Sequence, residues 1–424
     1  MVLIGALFLA LLAIGVPIIF VLGISGLVYV YLADLSLVLI PQRLFVGLNS
    51  FLVLSVPLFI LAGNIMNASG ITERIVRFSN LLIGRVRGGL AYVTVVATMF
   101  FAGITGAGAA DTSAIGSIMI PAMRDQGYKA EYAAAITAAG AIVGPIIPPS
   151  IAFVIYGAMA DVSIAGLFMA GFLPGILSSI LMGAVVWRHA RVHNFPVREA
   201  TVSLREYPLG FVEALPGLMM PAIILGGILG GVFTPTEAAA AGVLYALLVG
   251  FLVYRELKPA SLWFILRDTA IMSGGVMLIV ANASLFSWIL AAEQVPQEVA
   301  NLITGLSREP WVVLLLINLL LLFVGCIMET LAAIIILTPV LLPLVKGLGI
   351  DPLHFGVIIV VNLSIGLSTP PVGVNLFVAG GIARVSLEQI SRAIWPFVMA
   401  TLIALAITTY WPGMVLLIPR LFLK

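Results

Sequence analysis

Gly144-Pro145-Ile146-Ile147-Pro148-Pro149-Ser150 and Gly366-Leu367-Ser368-Thr369-Pro370-Pro371-Val372 stand 222 residues apart, each inside a long apolar run. Proline lacks a backbone N–H and keeps the residue before it out of the helical region. One proline would give a kink. The three in the first stretch predict that its helix comes apart, and Pro370-Pro371 predict the same for the second. Carbonyls freed there suit a hard cation, with Ser150 as a hydroxyl ligand in the first break. In the second, Asn362, Ser368, Thr369 and Asn375 gather amide and hydroxyl oxygens, a composition that fits Na⁺.

The same offset holds around both breaks. Phe101, Gly103, Pro121, Gly127, Gly144, Pro148, Pro149 and Pro174 recur as Phe323, Gly325, Pro343, Gly349, Gly366, Pro370, Pro371 and Pro396. Four of the five prolines between 101 and 174 repeat this way, which signals a duplication.

Composition places the duplication in a bilayer. Of 424 residues, 62% are hydrophobic and 9% charged, against about 25% charged in soluble domains. A bilayer core needs roughly 20 apolar residues per helix, and the chain holds about ten to twelve such segments. The expectation is one all-α polytopic membrane domain. Met1-Val2-Leu3-Ile4 has no basic n-region, so the first helix reads as retained rather than cleaved. A net charge of +2 gives no reason to expect nucleic acid. The single Cys326 excludes an internal disulfide and reads as a small packed residue.

Arginines in short loops mark the cytoplasmic side. Arg74, Arg77, Arg85 and Arg87 fall in 72–87, and Arg188, Arg191, Arg198 and Arg205 in 187–205; Arg255-Lys258-Arg267 and Arg384-Arg392 are weaker clusters. With all four inside, 132–158, 162–187, 214–233, 236–254 and 268–292 alternate across the membrane, and 354–381 and 393–418 follow. Stretches 88–124 and 311–345 each hold two short arms about a small-residue break. They read as re-entrant hairpins, the first entering from the cytoplasm and the second from outside. Residues 2–32 read as one long helix or as two short ones meeting near Pro17, and repeat parity favours two. Five spans between the hairpins turn the second copy over, so two inverted repeats are expected, each with a re-entrant hairpin and an unwound helix. That is the pattern of secondary transporters, with the site at midplane where the copies meet. Boundaries follow: 1–87 and 188–310 as scaffold, 88–187 and 311–424 as the hairpin and broken-helix halves. The amphipathic stretches 72–87 and 195–211 read as lying on the inner face.

The first hairpin tip is Gly103-Ile104-Thr105-Gly106-Ala107-Gly108-Ala109-Ala110-Asp111-Thr112-Ser113, and the second is Gly325-Cys326-Ile327-Met328-Glu329-Thr330. Small residues allow close approach of a ligand, and a half-helix start offers free N–H groups at a positive dipole end. An acid at membrane depth is a functional candidate. The candidate substrate set is therefore Thr105, Gly106, Gly108, Asp111, Thr112, Ser150, Glu329, Thr330 and Asn375. The candidate Na⁺ set is Thr105, Gly144, Pro145, Ser150, Gly325, Asn362, Gly366, Ser368 and Thr369, arranged as two cation sites flanking one anion site. His189, His193 and His354 fall at helix ends and are given no role.

Several segments together resemble the large membrane subunit of tripartite ATP-independent periplasmic (TRAP) transporters. They are Gly116-Ser117-Ile118-Met119-Ile120-Pro121-Ala122-Met123, Gly144 to Ser150, Gly231-Val232-Phe233-Thr234-Pro235-Thr236-Glu237-Ala238-Ala239-Ala240, Ile334-Ile335-Ile336-Leu337-Thr338-Pro339, and Thr369-Pro370-Pro371-Val372-Gly373-Val374-Asn375-Leu376. The resemblance implies an elevator in which a hairpin domain moves against a scaffold in the bacterial inner membrane. It also implies Na⁺ as coupling ion with no other cofactor, a small four-helix membrane partner, a periplasmic substrate-binding protein, and a small organic anion (C4-dicarboxylate, keto acid or sugar acid) as cargo. Many members of that family carry serines where this chain has Gly106-Ala107-Gly108-Ala109, so backbone carbonyls or Thr105, Thr112 and Ser113 must serve there. With the chain starting at the large subunit's first helix, the small partner is expected as a separate chain. A cation/proton antiporter, or an anion carrier working without a binding protein, is the rival within transport. The antiporter needs a proton-carrying acid, for which only Asp111 and Glu329 qualify. An intramembrane enzyme is disfavoured, because no HExxH motif, acidic dyad or intramembrane histidine supplies the chemistry.

Overall fold

The computed structural model describes residues 2–193, 195, 206–307 and 309–422, and these fold into helices and their connections, with no strand among them. Seven described helices are long and apolar enough to cross a bilayer, from Ile164–Val192 to Leu387–Tyr410, and shorter apolar helices fill the space between them. Trp187, Trp263, Trp311 and Trp411 lie exposed at or near helix ends, where amphipathic rings suit a membrane interface.

The helices break where the prolines dictate. Ala130–Gly140 tightens into a single turn of 3₁₀ helix, Ala141–Val143, and helix resumes only at Ile151–Ala160. Pro352–Gly366 stops likewise, and Val374–Ala383 follows an irregular stretch. Each hairpin region is two arms: Gly89–Thr105 with Gly108–Asp125, and Pro310–Ile327 with Thr330–Gly347. Thr105, Gly108, Asp125 and Ala130 bound elements in the first copy. Ile327, Thr330, Gly347 and Pro352, each 222 residues later, bound them in the second. Gly127 and Gly349, also a pair, both adopt positive φ in the turns after the hairpins.

The copies interlock. Gly108–Asp125 packs on Val374–Ala383 of the other copy, and Thr330–Gly347 packs on Ile151–Ala160. A second group of helices stands beside this core: Pro259–Ala292 lies along Ile18–Leu32, Leu39–Leu48 and Ser55–Ala68, and Pro235–Leu248 packs on Ser55–Ala68. The N-terminal segment is two helices, Val2–Ala13 and Ile18–Leu32, parted at Gly15 and Pro17. Ser55–Ala68 turns by 69° into Ile71–Ile83 at Gly70. Arg74 pins this bend: it donates to Gly70 O at 2.8 Å and to Glu256 at 2.6 Å, and lies over the Tyr254 ring.

Some boundaries differ from the sequence reading for local reasons. The expected span 268–292 is a 34-residue helix, Pro259–Ala292, because Pro259 suits a helix start and nothing after it interrupts. The span expected at 214–233 begins at Glu206, with Pro216 and Pro221 inside. Tyr254 and Tyr245 hydroxyls donate to the carbonyls of Glu213 and Pro216 in that distorted region, the kind of outside partner that makes proline tolerable in a membrane helix. The last span ends at Tyr410 instead of running to 418, since Pro412 keeps Trp411 out of helix. Arg198, Arg205 and most of the amphipathic stretch 195–211 fall outside the described residues.

One buried polar ladder braces the second copy. Asn362 Nδ2 donates to Asn318 Oδ1 at 2.7 Å and to Asn318 O at 3.0 Å, and Asn318 Nδ2 donates to Thr409 Oγ1 at 3.0 Å. Asn318→Leu removes the side-chain partners of two buried groups. It is expected to cost about 1–3 kcal/mol, read as a lower midpoint of thermal unfolding in detergent.

Candidate functional site

A cavity of about 390 Å³ lies where the hairpin tips, the broken helices and the neighbouring helix group meet. Gly108, Ile151, Thr330 and Val374 all line it, and each is the first residue of a helix. Four helix N-termini therefore converge on one space. Each brings roughly half a positive charge, although some of their first-turn amides already have partners, such as Asn375 N on Leu367 O. The sequence dictates this: a helix broken by prolines must restart, and a hairpin's second arm starts at its tip.

The four starts are not equivalent. Ser150 Oγ accepts from Phe153 N at 3.2 Å, and Glu329 Oε2 accepts from Leu331 N at 2.9 Å and Ala332 N at 3.2 Å. Ala107 and Gly373 offer no side-chain cap to the other two. Apart from Glu329 and Thr330, the described lining side chains are apolar or glycine, and none is Lys, Arg or His. Ile271, Met272, Gly275, Val276 and Ile279 of the long helix Pro259–Ala292 form the opposite wall.

Behind the first tip the chain is tightly packed. Gly106 has φ +62°, and a Cβ there would sit 2.8 Å from Pro149 O, so the tip rests directly on the first break. Asp111 is fully buried; its Oδ1 accepts from the Thr105 hydroxyl, while Oδ2 has no hydrogen-bond partner and faces the α-carbon of Gly144. An unpaired buried carboxylate oxygen is costly unless a cation or proton joins it. Thr105 and Gly144, both in the candidate Na⁺ set, thus meet around an acid. At the second tip Gly325 and Gly366 pack backbone to backbone: a Cβ on Gly366 would be 2.4 Å from the Gly325 carbonyl carbon. Asn362 Oδ1, one helical turn before Gly366, is buried without a partner.

These positions divide the sequence-derived sets. Gly106, Gly108, Glu329 and Thr330 line the cavity, as does Pro145. Thr105, Asp111, Thr112, Ser150 and Asn375 are not among the residues that line it. Thr112 donates to Gly108 O, and Asn375 Nδ2 donates to Ser368 Oγ at 2.9 Å. Ser368 in turn donates to Ala138 O at 2.7 Å, tying one broken helix to the other. Thr369 donates to Ile365 O. His189 and His193 end one helix, and His354 begins another and binds Thr408 O. Sequence reasoning missed Asn318, the one amide in the apolar run 310–327, and Gly275, whose neighbour Gly274 made a visible gap in a long apolar helix. Ser150→Ala removes both the cap and the donation to Pro145 O at 2.5 Å. The loss is expected to be about 1 kcal/mol of stability, read as a lower midpoint of thermal unfolding.

The family described as "Tripartite ATP-independent periplasmic transporter, DctM component" matches residues 5–414. The chain is 39% identical over 423 residues to the sialic acid TRAP transporter large permease protein SiaM of Vibrio cholerae, covering 99% of each. It is 40% identical over 400 residues to the C4-dicarboxylate TRAP transporter large permease protein DctM of Pseudomonas aeruginosa, covering 94% of this chain and 93% of that one. Among solved structures, the YdaH transporter of Alcanivorax borkumensis aligns with TM-score 0.61 at 14% identity, covering 88% of this chain and 87% of that one. That last likeness is one of fold.

Proposed function

We propose, for a chain that belongs to the DctM component family of tripartite ATP-independent periplasmic transporters, that it imports a small organic anion driven by a Na⁺ gradient. The chain is a multi-pass protein of the bacterial inner membrane. The observation that carries the reading is the meeting of four helix N-termini around one cavity, a ready-made anion site at the junction of duplicated halves.

Coupling follows from what lies behind each tip. A cation held between Asp111 Oδ2, Thr105 and the carbonyls near Gly144 neutralises a charge that is otherwise unpaired, and it fixes Gly106 against Pro149. With that tip fixed, the start of Gly108–Asp125 faces the cavity in register for an anion. The second tip, Gly325 on Gly366 with Asn362 close behind, is the corresponding place in the other copy. Cation and anion then favour the same arrangement, which is what symport requires. The two copies are read as inverted, with the interlocked hairpins and broken helices moving as a body against the Pro259–Ala292 group in an elevator motion. A small four-helix membrane subunit and a periplasmic binding protein that delivers the anion complete the system.

Proteoliposomes holding this chain with both partners, given an inward Na⁺ gradient at fixed pH, are expected to accumulate the anion. Uptake that ignores Na⁺ and follows a proton gradient instead overturns the coupling and favours the antiporter-like alternative.

A further inference from the structure

We propose that the cavity selects a singly charged carboxylate with a branched aliphatic body, and discriminates against dianions, polyhydroxylated acids and zwitterions. The inference rests on the reading of this cavity as the anion site and narrows it to a substrate class.

Charge comes first. Four helix N-termini at roughly half a positive charge each, offset by the carboxylate of Glu329, leave about one positive charge facing the cavity. No Lys, Arg or His among the described lining residues adds to it. Geometry separates the two tips. The start of Gly108–Asp125 has no side-chain cap, so its amides remain for a ligand carboxylate. The start of Thr330–Gly347 is already covered by Glu329, whose Oε2 takes the Leu331 and Ala332 amides. A second carboxylate reaching across the cavity therefore meets an acid where it needs donors. Thr330 is buried and lines this cavity, and its Oγ1 has no hydrogen-bond partner, so one hydroxyl at the second tip remains for a keto or carboxylate oxygen.

The rest of the wall decides the body. Ile271, Met272, Val276, Ile279, Leu331 and Val374 surround the space with hydrocarbon. Hydroxyl groups of a sugar acid would lose water there without gaining partners, and a branched alkyl group would not. The chemistry that fits is a 2-oxo or simple monocarboxylate of branched aliphatic type.

The test uses the full chain purified in Na⁺, with the rise in unfolding midpoint followed against ligand concentration. The panel is 4-methyl-2-oxopentanoate, succinate, gluconate and leucine. The expected half-maximal concentration for 4-methyl-2-oxopentanoate is at least about tenfold below the other three, because each of them carries an uncompensated charge or several unpartnered hydroxyls. Glu329→Gln should narrow the gap for succinate and leave that for gluconate unchanged. Succinate, gluconate or leucine matching the oxo acid on the native chain overturns the inference while leaving the anion site standing, and needs no variant to fold. If no panel member shifts the midpoint in Na⁺, the anion-site reading falls together with it.

Discussion

Asp111→Asn is expected to raise the Na⁺ concentration for half-maximal transport by about a hundredfold or more, while leaving the protein folded. The carboxylate is fully buried, its Oδ1 is held by Thr105, and its Oδ2 has no protein partner. Removing one partner of a buried charge pair costs several kcal/mol, so a cation that relies on this oxygen loses most of its affinity. Asparagine keeps the shape and still accepts from Thr105. In Na⁺-free solution the variant should stay close to the native chain in stability, because the amide keeps the shape of the carboxyl group and the bond from Thr105. Adding Na⁺ should raise the unfolding midpoint of the native chain and leave that of the variant unmoved. Equal Na⁺ stabilisation of both would show that Asp111 serves structure alone.

Gly366→Ala is expected to abolish transport and to lower stability by about 1–3 kcal/mol. The added Cβ would lie 2.4 to 2.7 Å from three backbone atoms of Gly325, and backbone cannot swing aside as a side-chain end can. The second tip would have to lift off the second break. Gly381→Ala is the matched control: its Cβ meets nothing within 4 Å, and a helix-interior glycine gains about 0.5–1 kcal/mol on becoming alanine. Thermal unfolding and uptake measured on the pair separate a lost joint from a general effect of substitution.

What the sequence made legible follows from how locally each signal acts. Proline forbids helix by its own ring, so the breaks around Pro145-Pro149 and Pro370-Pro371 could be placed without knowing any neighbour. Glycines and prolines recurring at 222 residues marked the two copies for the same reason. The cavity wall was not legible, because Ile19, Ile60 and Ile271 to Ile279 come together only when distant helices pack. Asp111 and Glu329 show the finer limit. Both are acids at hairpin tips, and sequence gave both to the anion. Glu329 is the residue before its helix and folds over the N-terminus into the cavity, whereas Asp111 lies one turn inside its helix, on the side that packs against Gly144. Ser150 and Ser368 show it too: composition marks a hydroxyl near a break, and only the fold shows that one caps a helix and the other ties the two broken helices together.

The central claim is that the anion sits at the uncapped start of Gly108–Asp125 and needs the cation behind that tip to do so. Ala109 lines the cavity, and replacing Cys326 by serine leaves the chain with no native thiol. Ala109→Cys in that background should react with a membrane-impermeant thiol reagent, and the rate should fall only when Na⁺ and the transported anion are present together. A rate unaffected by the pair, or reduced by the anion alone without Na⁺, contradicts the account.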